Sequence, residues 1–458
     1  MSNLINRLRK FFKPQQQSSY HFVNGVITWN GNDSISQVND GYAGNDIVYS
    51  VINLISQKAK VPDWHVYKCI DKEKAKRYKQ LIANPSNVKD WKEVLQLKEE
   101  SYEIYTGNAR LNELIEYPNK DQTFANLVEG HCIYKMATGN GYLYGKLIEA
   151  GANKGMPLSL HNLPSQYIAI VANTGQYPNE VTGYNLFIGT YEGFRREEVL
   201  HDKFFNPIFS INGSELYGLS PLKAASKVLT RSNEGRESTV ASYQNGGPAG
   251  VLSIKNNGNF DPLDVQAQVD RIKESLRQYK GSSNRNKLAT SGYEAAYTQI
   301  GANPVDMAIF DAEKFDMRAI CNIYGVPSQL LNDPDNKIQA NAVAAEKALT
   351  TRAALPFLIS FRDEFNRKLQ TDWGVKDKNL VVDFDMSCFS ELHENTADQV
   401  NYLNQAWWIS PYQKYQIMDM TVPEYLDEEE LKKIYIPQNL VPQDEILELP
   451  KGLNPYEK

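Results

Sequence analysis

Apolar residues recur at helical spacing early in the chain. Val48, Val51, Ile52 and Ile55 stand at i, i+3, i+4 and i+7, on one face of a helix that Asn45 or Asp46 can cap. Val61-Pro62 ends that helix, and Trp64–Cys69 has the character of a strand. Asn84-Pro85-Ser86 breaks the chain again before a helix predicted over about Asp90–Tyr105. Another helix is expected from about Thr123, whose hydroxyl can cap it, to Gly139, where glycine can take the left-handed conformation of a helix end. From Tyr142 to about Phe205 short alternating segments separated by Gly, Pro and Asn predict strands, with one more strand at His21–Trp29 inside a polar arm.

In the second half the period lengthens. Ser220-Pro221 opens a helix to about Gln244, stopped by Asn245-Gly246-Gly247-Pro248, and Gly250–Ile254 reads as a strand. Asp261-Pro262 caps a helix whose seam is Val265, Val269, Ile272, Leu276 and Tyr279, flanked by Arg271, Lys273, Glu274 and Arg277. Lys287–Ile300 predicts a hairpin turning at Ser291-Gly292. Asn303-Pro304 starts a helix to Tyr324, roughly 32 Å long at about 1.5 Å per residue, with Met307, Phe310, Met317, Cys321 and Tyr324 on one face and Asp306, Glu313 and Arg318 pointing elsewhere. A break runs from Gly325-Val326-Pro327 through Leu331 into the polar segment Asn332–Lys337. The next helix, to about Leu369, is rich in alanine (Ala340, Ala342, Ala344, Ala345, Ala348, Ala353, Ala354), which permits close helix approach, and Pro356 should kink it. A strand at Leu380–Asp385 and helices near 397–408, 411–418 and 427–434 complete an α+β pattern.

Composition narrows the functional classes. A chain of 458 residues with 41% hydrophobic and 23% charged residues has material for roughly three domains. Its net charge of −6 is the wrong sign for broad phosphate neutralisation, so any nucleic-acid contact is local or weak. Cys69, Cys132, Cys321 and Cys388 lie far apart with no C-x-x-C, which argues against a disulfide framework and for a reducing compartment. No run of eighteen apolar residues exists, so no membrane-spanning helix is expected. The start of the chain, with Arg7, Arg9, Lys10 and Lys13, lacks the apolar core of a signal peptide and reads as a mobile basic tail. The last 38 residues, from Thr421, hold nine acids and four lysines.

Candidate chemistry fails one motif at a time. Gly139-x-Gly141-x-x-x-Gly145 has one residue too many for a dinucleotide loop and follows a helix instead of a strand. No phosphate-cradling G-x-x-x-x-G-K-[ST] exists, so Leu380–Asp385 reads as a sheet strand with two solvated aspartates, Asp383 and Asp385. His393-Glu394 lacks the second histidine of a zinc motif, since position 397 is Ala397. Asp333-x-Asp335 lacks a calcium loop's remaining ligand and turn glycine, since Lys337 and Ile338 stand there. Ser220 has no second glycine for a nucleophile elbow and is expected to cap the helix at Pro221. His201 is expected as a hydrogen-bonded strand residue. No catalytic residue, cofactor or metal is expected. The rival enzymatic reading is a metal-dependent nuclease, or another DNA-processing enzyme, using Asp383, Asp385 and Glu391.

A set of short motifs, in order over about 330 residues, resembles the portal proteins of tailed bacteriophages. Leu111–Asn119 is similar to the family's "L..L...PN", and Gly139-Asn140-Gly141-Tyr142-Leu143-Tyr144 to "GNAY.Y". Leu160–Pro164 resembles "L..L.P", Glu198-Val199-Leu200-His201 "evlH", and Gly218-Leu219-Ser220-Pro221-Leu222 "G.SPL". Gln244–Leu252 resembles "NG..P.GVL", Asn303–Met307 "SPVDM", and Gly325–Leu331 "FGVP..LL". In the tail, Trp408–Pro411 and Ile436–Pro442 resemble "G.LT.NE" and "P.N..P", although Tyr412-Gln413 replaces the "NE".

The resemblance implies an α+β portal-type fold. Its expected parts are a flexible arm (1–40), an α/β wing (41–219), a stem helix (220–245), a small α/β clip (246–302), a second stem helix (303–326), a tunnel loop (327–337), a long kinked tunnel helix with the wing's return strand (338–390), and a helical crown with an acidic tail (391–458). It also implies a non-enzymatic homo-oligomeric ring, typically dodecameric, assembled in the host cytoplasm at one capsid vertex of a virion. Double-stranded DNA would enter and leave through that ring. The implied partners are the terminase large subunit, the major capsid protein and scaffold, and a head-tail adaptor, with no membrane. Another ring-forming virion adaptor is the third reading. Asn332, Asp333, Asp335, Asn336 and Lys337 are expected to face the DNA, with the two aspartates repelling phosphate. Arg271, Lys273, Glu274 and Arg277 are expected to dock the motor and adaptors.

Overall fold

A computed structural model of the chain describes residues 20–23, 26–29, 33–88, 90–173, 179–209, 213–245, 250–254, 270–271, 274, 295–299, 309–333, 335, 340–392, 402–418, 422–423 and 426–434. Two compact units are present, residues 1–389 and 390–458.

The first unit mixes helix with antiparallel sheet, as the α+β pattern predicts. In chain order its strands are β1 (Tyr20–Val23), β2 (Val26–Trp29), β3 (Trp64–Cys69), β4 (Tyr102–Ile104), β5 (Asn140–Leu147), β6 (Pro157–Leu163), β7 (Ile168–Asn173), β8 (Glu180–Ile188), β9 (Thr190–Arg195), β10 (Val199–Lys203), β11 (Gly250–Ile254), β12 (Ala295–Gln299) and β13 (Leu380–Phe384). Its longer helices are α1 (Asp46–Lys60), α2 (Lys72–Ile82), α3 (Trp91–Ser101), α4 (Ala109–Glu116), α5 (Phe124–Thr138), α6 (Ser226–Asn245), α7 (Ile309–Tyr324), α8 (Ala340–Leu349) and α9 (Leu355–Thr371). Three sheets have the orders β13-β3-β4, β10-β5-β6 and β7-β8-β9, and β1-β2 and β11-β12 form separate pairs, all antiparallel.

Helix α9 ties two of these sheets together, packing on both β10 and β13. Phe357, Phe361 and Phe365 repeat every four residues along it and are all buried. Their rings meet Trp64 from β3 and Phe124 from α5, with Trp64–Phe361 centroids 5.6 Å apart and Phe124–Phe365 5.7 Å. Helix α1 packs on α5. Its predicted stripe of Val48, Val51, Ile52 and Ile55 is fully buried, and the Asn45 side chain caps it by accepting from the amides of Ile47 and Val48, both at 3.1 Å.

Several sequence expectations change. The helix predicted to Tyr105 stops at Ser101, because Tyr102–Ile104 pairs with β3 and buries Tyr102. Helices α2 and α4 were not legible as such; α2 is almost wholly polar and buries only Ala75, Tyr78 and Ile82. The helix expected from Pro221 breaks after one turn, at Ala225, and restarts as α6. Strand β12 pairs with β11, and the other half of the hairpin predicted over Lys287–Ile300 lies outside the described residues.

Where a kink is expected at Pro356, the helix is widened just before the proline. A π-helical segment, Thr350–Ala354, separates α8 from α9, and the Leu355 amide donates to the Thr350 carbonyl five residues back. Proline supplies no amide hydrogen and its ring crowds the carbonyl four residues earlier, that of Arg352. Widening the turn just before the proline relieves both.

In the second unit, Ser410 and Gln413 form a reciprocal capping box at the start of the helix Pro411–Ile417.

Candidate functional site

Two places concentrate the motifs singled out above. The first is the C-terminal end of α5. A helix leaves its last carbonyls without intrahelical partners. Here distant residues take them up: Tyr324 of α7 donates its hydroxyl to Met136 O at 3.0 Å, and Ser220 donates to Ala137 O at 2.7 Å. Ser220 also accepts from the Leu222 amide at 3.1 Å, so it caps the turn at Pro221 as expected. Gly139 ends α5 with φ 78, and a methyl group there would stand 2.6 Å from the Leu219 carbonyl carbon. Gly218 lies so close that a methyl on it would fall 2.0 Å from the Gly139 oxygen. Asn140 joins the last motif: its Oδ1 accepts from the Gly218 amide at 2.6 Å and from His201 Nε2 at 3.0 Å.

His201 is therefore the Nε2–H tautomer, stacked on Tyr142 with centroids 4.3 Å apart. Burial, with Lys203 nearby, lowers its pKa to about 3. It is a neutral strand residue, as expected. Beneath this node, Lys135 of α5 pairs with Asp202 of β10 at 2.6 Å, and Ser360 of α9 lies 2.9 Å from the ammonium. Burial alone would raise the Asp202 carboxyl, but Lys135 and His131 outweigh it and hold it well below the usual carboxylate range.

The second place is the loop that leaves α7. Gly325 (φ 70) ends the helix, Ser328–Leu331 forms a single 3-10 turn, and Asn332 adopts left-handed geometry at φ 59 and ψ 37. The next residue, Asp333, is fully buried. Arg318 grips it bidentately, Nε to Oδ2 and Nη2 to Oδ1, both at 2.7 Å. Ser328 Oγ donates to Oδ2 at 2.8 Å, and the Asp335 amide to Oδ1 at 3.2 Å. These donors, Arg318 first, hold the Asp333 carboxyl well below the usual range. Asp335, by contrast, is exposed and takes one further bond from Arg318 Nη2 at 2.6 Å. Alongside, Asn322, Val326, Pro327, Ala344 and Ala348 line a groove of about 510 Å³, and Ala342, Val343 and Ala344 face outward.

The chain as a whole is similar to known proteins. A family model described as "Phage portal protein" matches residues 46–413. The chain belongs to the phage portal protein family. An uncharacterized protein of Rickettsia bellii (strain RML369-C) is 24% identical over 396 residues, covering 84% of this chain and 89% of that protein. A chain from the neck of a native gene transfer agent (GTA) particle, computed with C12 symmetry, shares the fold with a TM-score of 0.53 at 20% identity, covering 86% of this chain and 95% of that one. A chain from the neck of an empty GTA particle, computed with C6 symmetry, gives 0.52 at 22% identity, covering 86% and 94%.

Several of the sequence motifs are thus structural joints in this chain. "GNGY", "evlH" and "G.SPL" converge on Asn140 and the end of α5, and Tyr324, just before Gly325-Val326-Pro327, anchors α7 to the same end. The loop acids depart from expectation. Asp333 presents no free charge, because Arg318 neutralises it and the protomer buries it; only Asp335 is exposed. Sequence reasoning set Arg318 aside, yet it is the nearest cation preceding the two aspartates. Asn336 and Lys337 lie outside the described residues. Of the four predicted docking residues, Arg271 and Glu274 are helical and exposed, while Lys273 and Arg277 lie outside the described residues.

The residues of the nuclease reading are also placed differently. Asp383 is not solvated: it is 4% exposed, with Tyr78 Oη at 3.3 Å, Arg362 Nη1 at 3.6 Å and Lys98 Nζ at 4.0 Å. Two buried cations leave that carboxylate no excess negative charge for a metal. Asp385 accepts from the Ser387 amide at 2.9 Å and hydroxyl at 2.6 Å. Among the described residues no cluster of three His, Cys, Asp or Glu side chains could hold an ion.

Proposed function

We propose that this chain is the subunit of a portal ring at one vertex of a phage or phage-like particle, a structural part through which double-stranded DNA is packaged and ejected. The observation that carries this is the family match spanning residues 46–413. Twelve copies are the expected number, supported by the neck chain of similar fold in a C12 assembly. Such a ring carries about −72, twelve times −6, which suits a conduit because each neutralised phosphate would add drag.

In this reading, residues 41–219 with 338–390 form the wing, 220–245 and 303–326 the stem, 246–302 the clip, and 391–458 the crown. The segment 327–337 faces the DNA. The alanine-rich face of α8, with its adjacent groove, meets the neighbouring subunit, where small side chains permit close approach. Head-to-tail contact of this kind closes into a ring. The clip, with Arg271, Lys273, Glu274 and Arg277, docks the terminase motor and head-tail adaptor, while capsid protein and scaffold hold the ring from outside.

Negative-stain microscopy and light scattering on the purified chain test the proposal. A holed, rotationally symmetric disc of about 620 kDa, twelve times 52.0 kDa, is expected. A chain that is monomeric both in solution and inside particles would overturn it.

A further inference from the structure

The two edges of the Arg318 guanidinium differ. Asp333 fills the inner edge with paired bonds from Nε and Nη2, and is itself fixed by Ser328 and the Asp335 amide. That edge cannot open without breaking two hydrogen bonds to a fully buried carboxylate, which two further donors hold in place. The outer edge carries a single bond, Nη2 to Asp335 Oδ2 at 2.6 Å, and among the described residues Nη1 has no hydrogen-bond partner. It lies at the surface: the Arg318 side chain is 30% exposed and Asp335 58%.

An exposed ion pair of this kind is weak. A phosphate, in contrast, accepts two parallel bonds from one guanidinium edge. We propose that the outer edge of Arg318 is a phosphate site for the nucleic-acid backbone, with Asp335 as its exchangeable occupant. A backbone phosphate displaces the Asp335 carboxylate and takes Nη1 and Nη2, while Asp333 keeps the guanidinium aimed. No covalent step is involved. With Asp335 in place the trio Arg318, Asp333 and Asp335 sums to −1, so an approaching phosphate is repelled until that carboxylate swings aside. Contact is therefore brief by construction, as a sliding surface requires.

The inference rests on the reading of this loop as the segment facing DNA, and the test separates the two. Binding of a labelled 30-base-pair duplex to the full chain at low salt is followed by fluorescence anisotropy. Asp335→Asn should bind about fivefold more tightly than the wild type, the upper end of what an exposed ion pair is worth. Asp311→Asn, which removes an exposed charge from the same helix as Arg318, should stay within about twofold. Adding Arg318→Lys to Asp335→Asn should abolish the gain, because an ammonium keeps the charge but lacks the fork. Equal binding by Asp335→Asn and Asp311→Asn, or a gain that survives Arg318→Lys, would overturn the site. Poly-L-glutamate competing as well as unlabelled duplex at equal charge would overturn its assignment to phosphate. The same samples are inspected for rings: rings without the Asp335 effect refute this site alone, and an absence of rings both here and inside particles refutes the conduit.

Discussion

The Lys135 ammonium sits 2.6 Å from the Asp202 carboxylate with both side chains at 2% exposure or less, so one buried ion pair fastens α5 to β10. Ser360 of α9 lies 3.3 Å from the same carboxylate oxygen, and the Phe204 ring lies 5.1 Å from the ammonium. Removing one member strands the other charge in a dry site. Lys135→Met or Asp202→Asn should each cost about 3–5 kcal/mol. The double variant should recover a large part of that loss in denaturant titration, because no charge is then left unpaired.

His201 makes stability sensitive to mild acid. Its folded pKa, about 3, lies below the ordinary 6.5, so the unfolded chain binds the extra proton between those values. Its contribution is therefore fully present above pH 6.5 and drains as pH falls toward 3, with a slope of up to about 1.4 kcal/mol per pH unit. Asp202, held below its ordinary 3.8, keeps its own contribution above that value and loses it as pH falls further. His201→Gln, able to keep a donor toward Asn140, should flatten the stability profile between pH 6.5 and 4, measured as denaturation midpoints.

Gly139 should tolerate no side chain. Gly139→Ala combines a left-handed backbone with a methyl 2.6 Å from the Leu219 carbonyl carbon, whereas Gly151→Ala, at φ 93, meets nothing within 4 Å. The second should cost about 1–2 kcal/mol, and the first clearly more. Equal losses in thermal melts would contradict the close approach of Gly139 to the Leu219-Ser220 backbone.

The two loop aspartates should behave oppositely. Asp333→Asn removes the acceptor that Arg318, Ser328 and the Asp335 amide share, so it should lower the melting temperature and speed proteolysis near residue 330. Asp335→Asn, at an exposed position, should leave both nearly unchanged. Identical behaviour would mean that the buried clasp does not shape the loop.

The sequence by itself determined the local elements and the family. The stripe of α1, the caps at Asn45, Thr123 and Ser220, and the helix stop at Gly139 depend on neighbours within a few residues, where periodicity and cap chemistry act. The ordered motifs likewise pointed to the portal family without coordinates. Tertiary structure decided what residues far apart do to one another. It turned Tyr102–Ile104 into strand, because β3 offered an edge, and made a helix of the polar α2 by burying three side chains. It also drew Asn140, His201 and Gly218 into one joint. Above all it reversed the sense of Asp333: fifteen residues from Arg318 in the chain, it reads as free negative charge, but folding brings the guanidinium within 2.7 Å and buries the carboxylate. Charge is a property of composition, but whether a charge is felt depends on what folding places beside it.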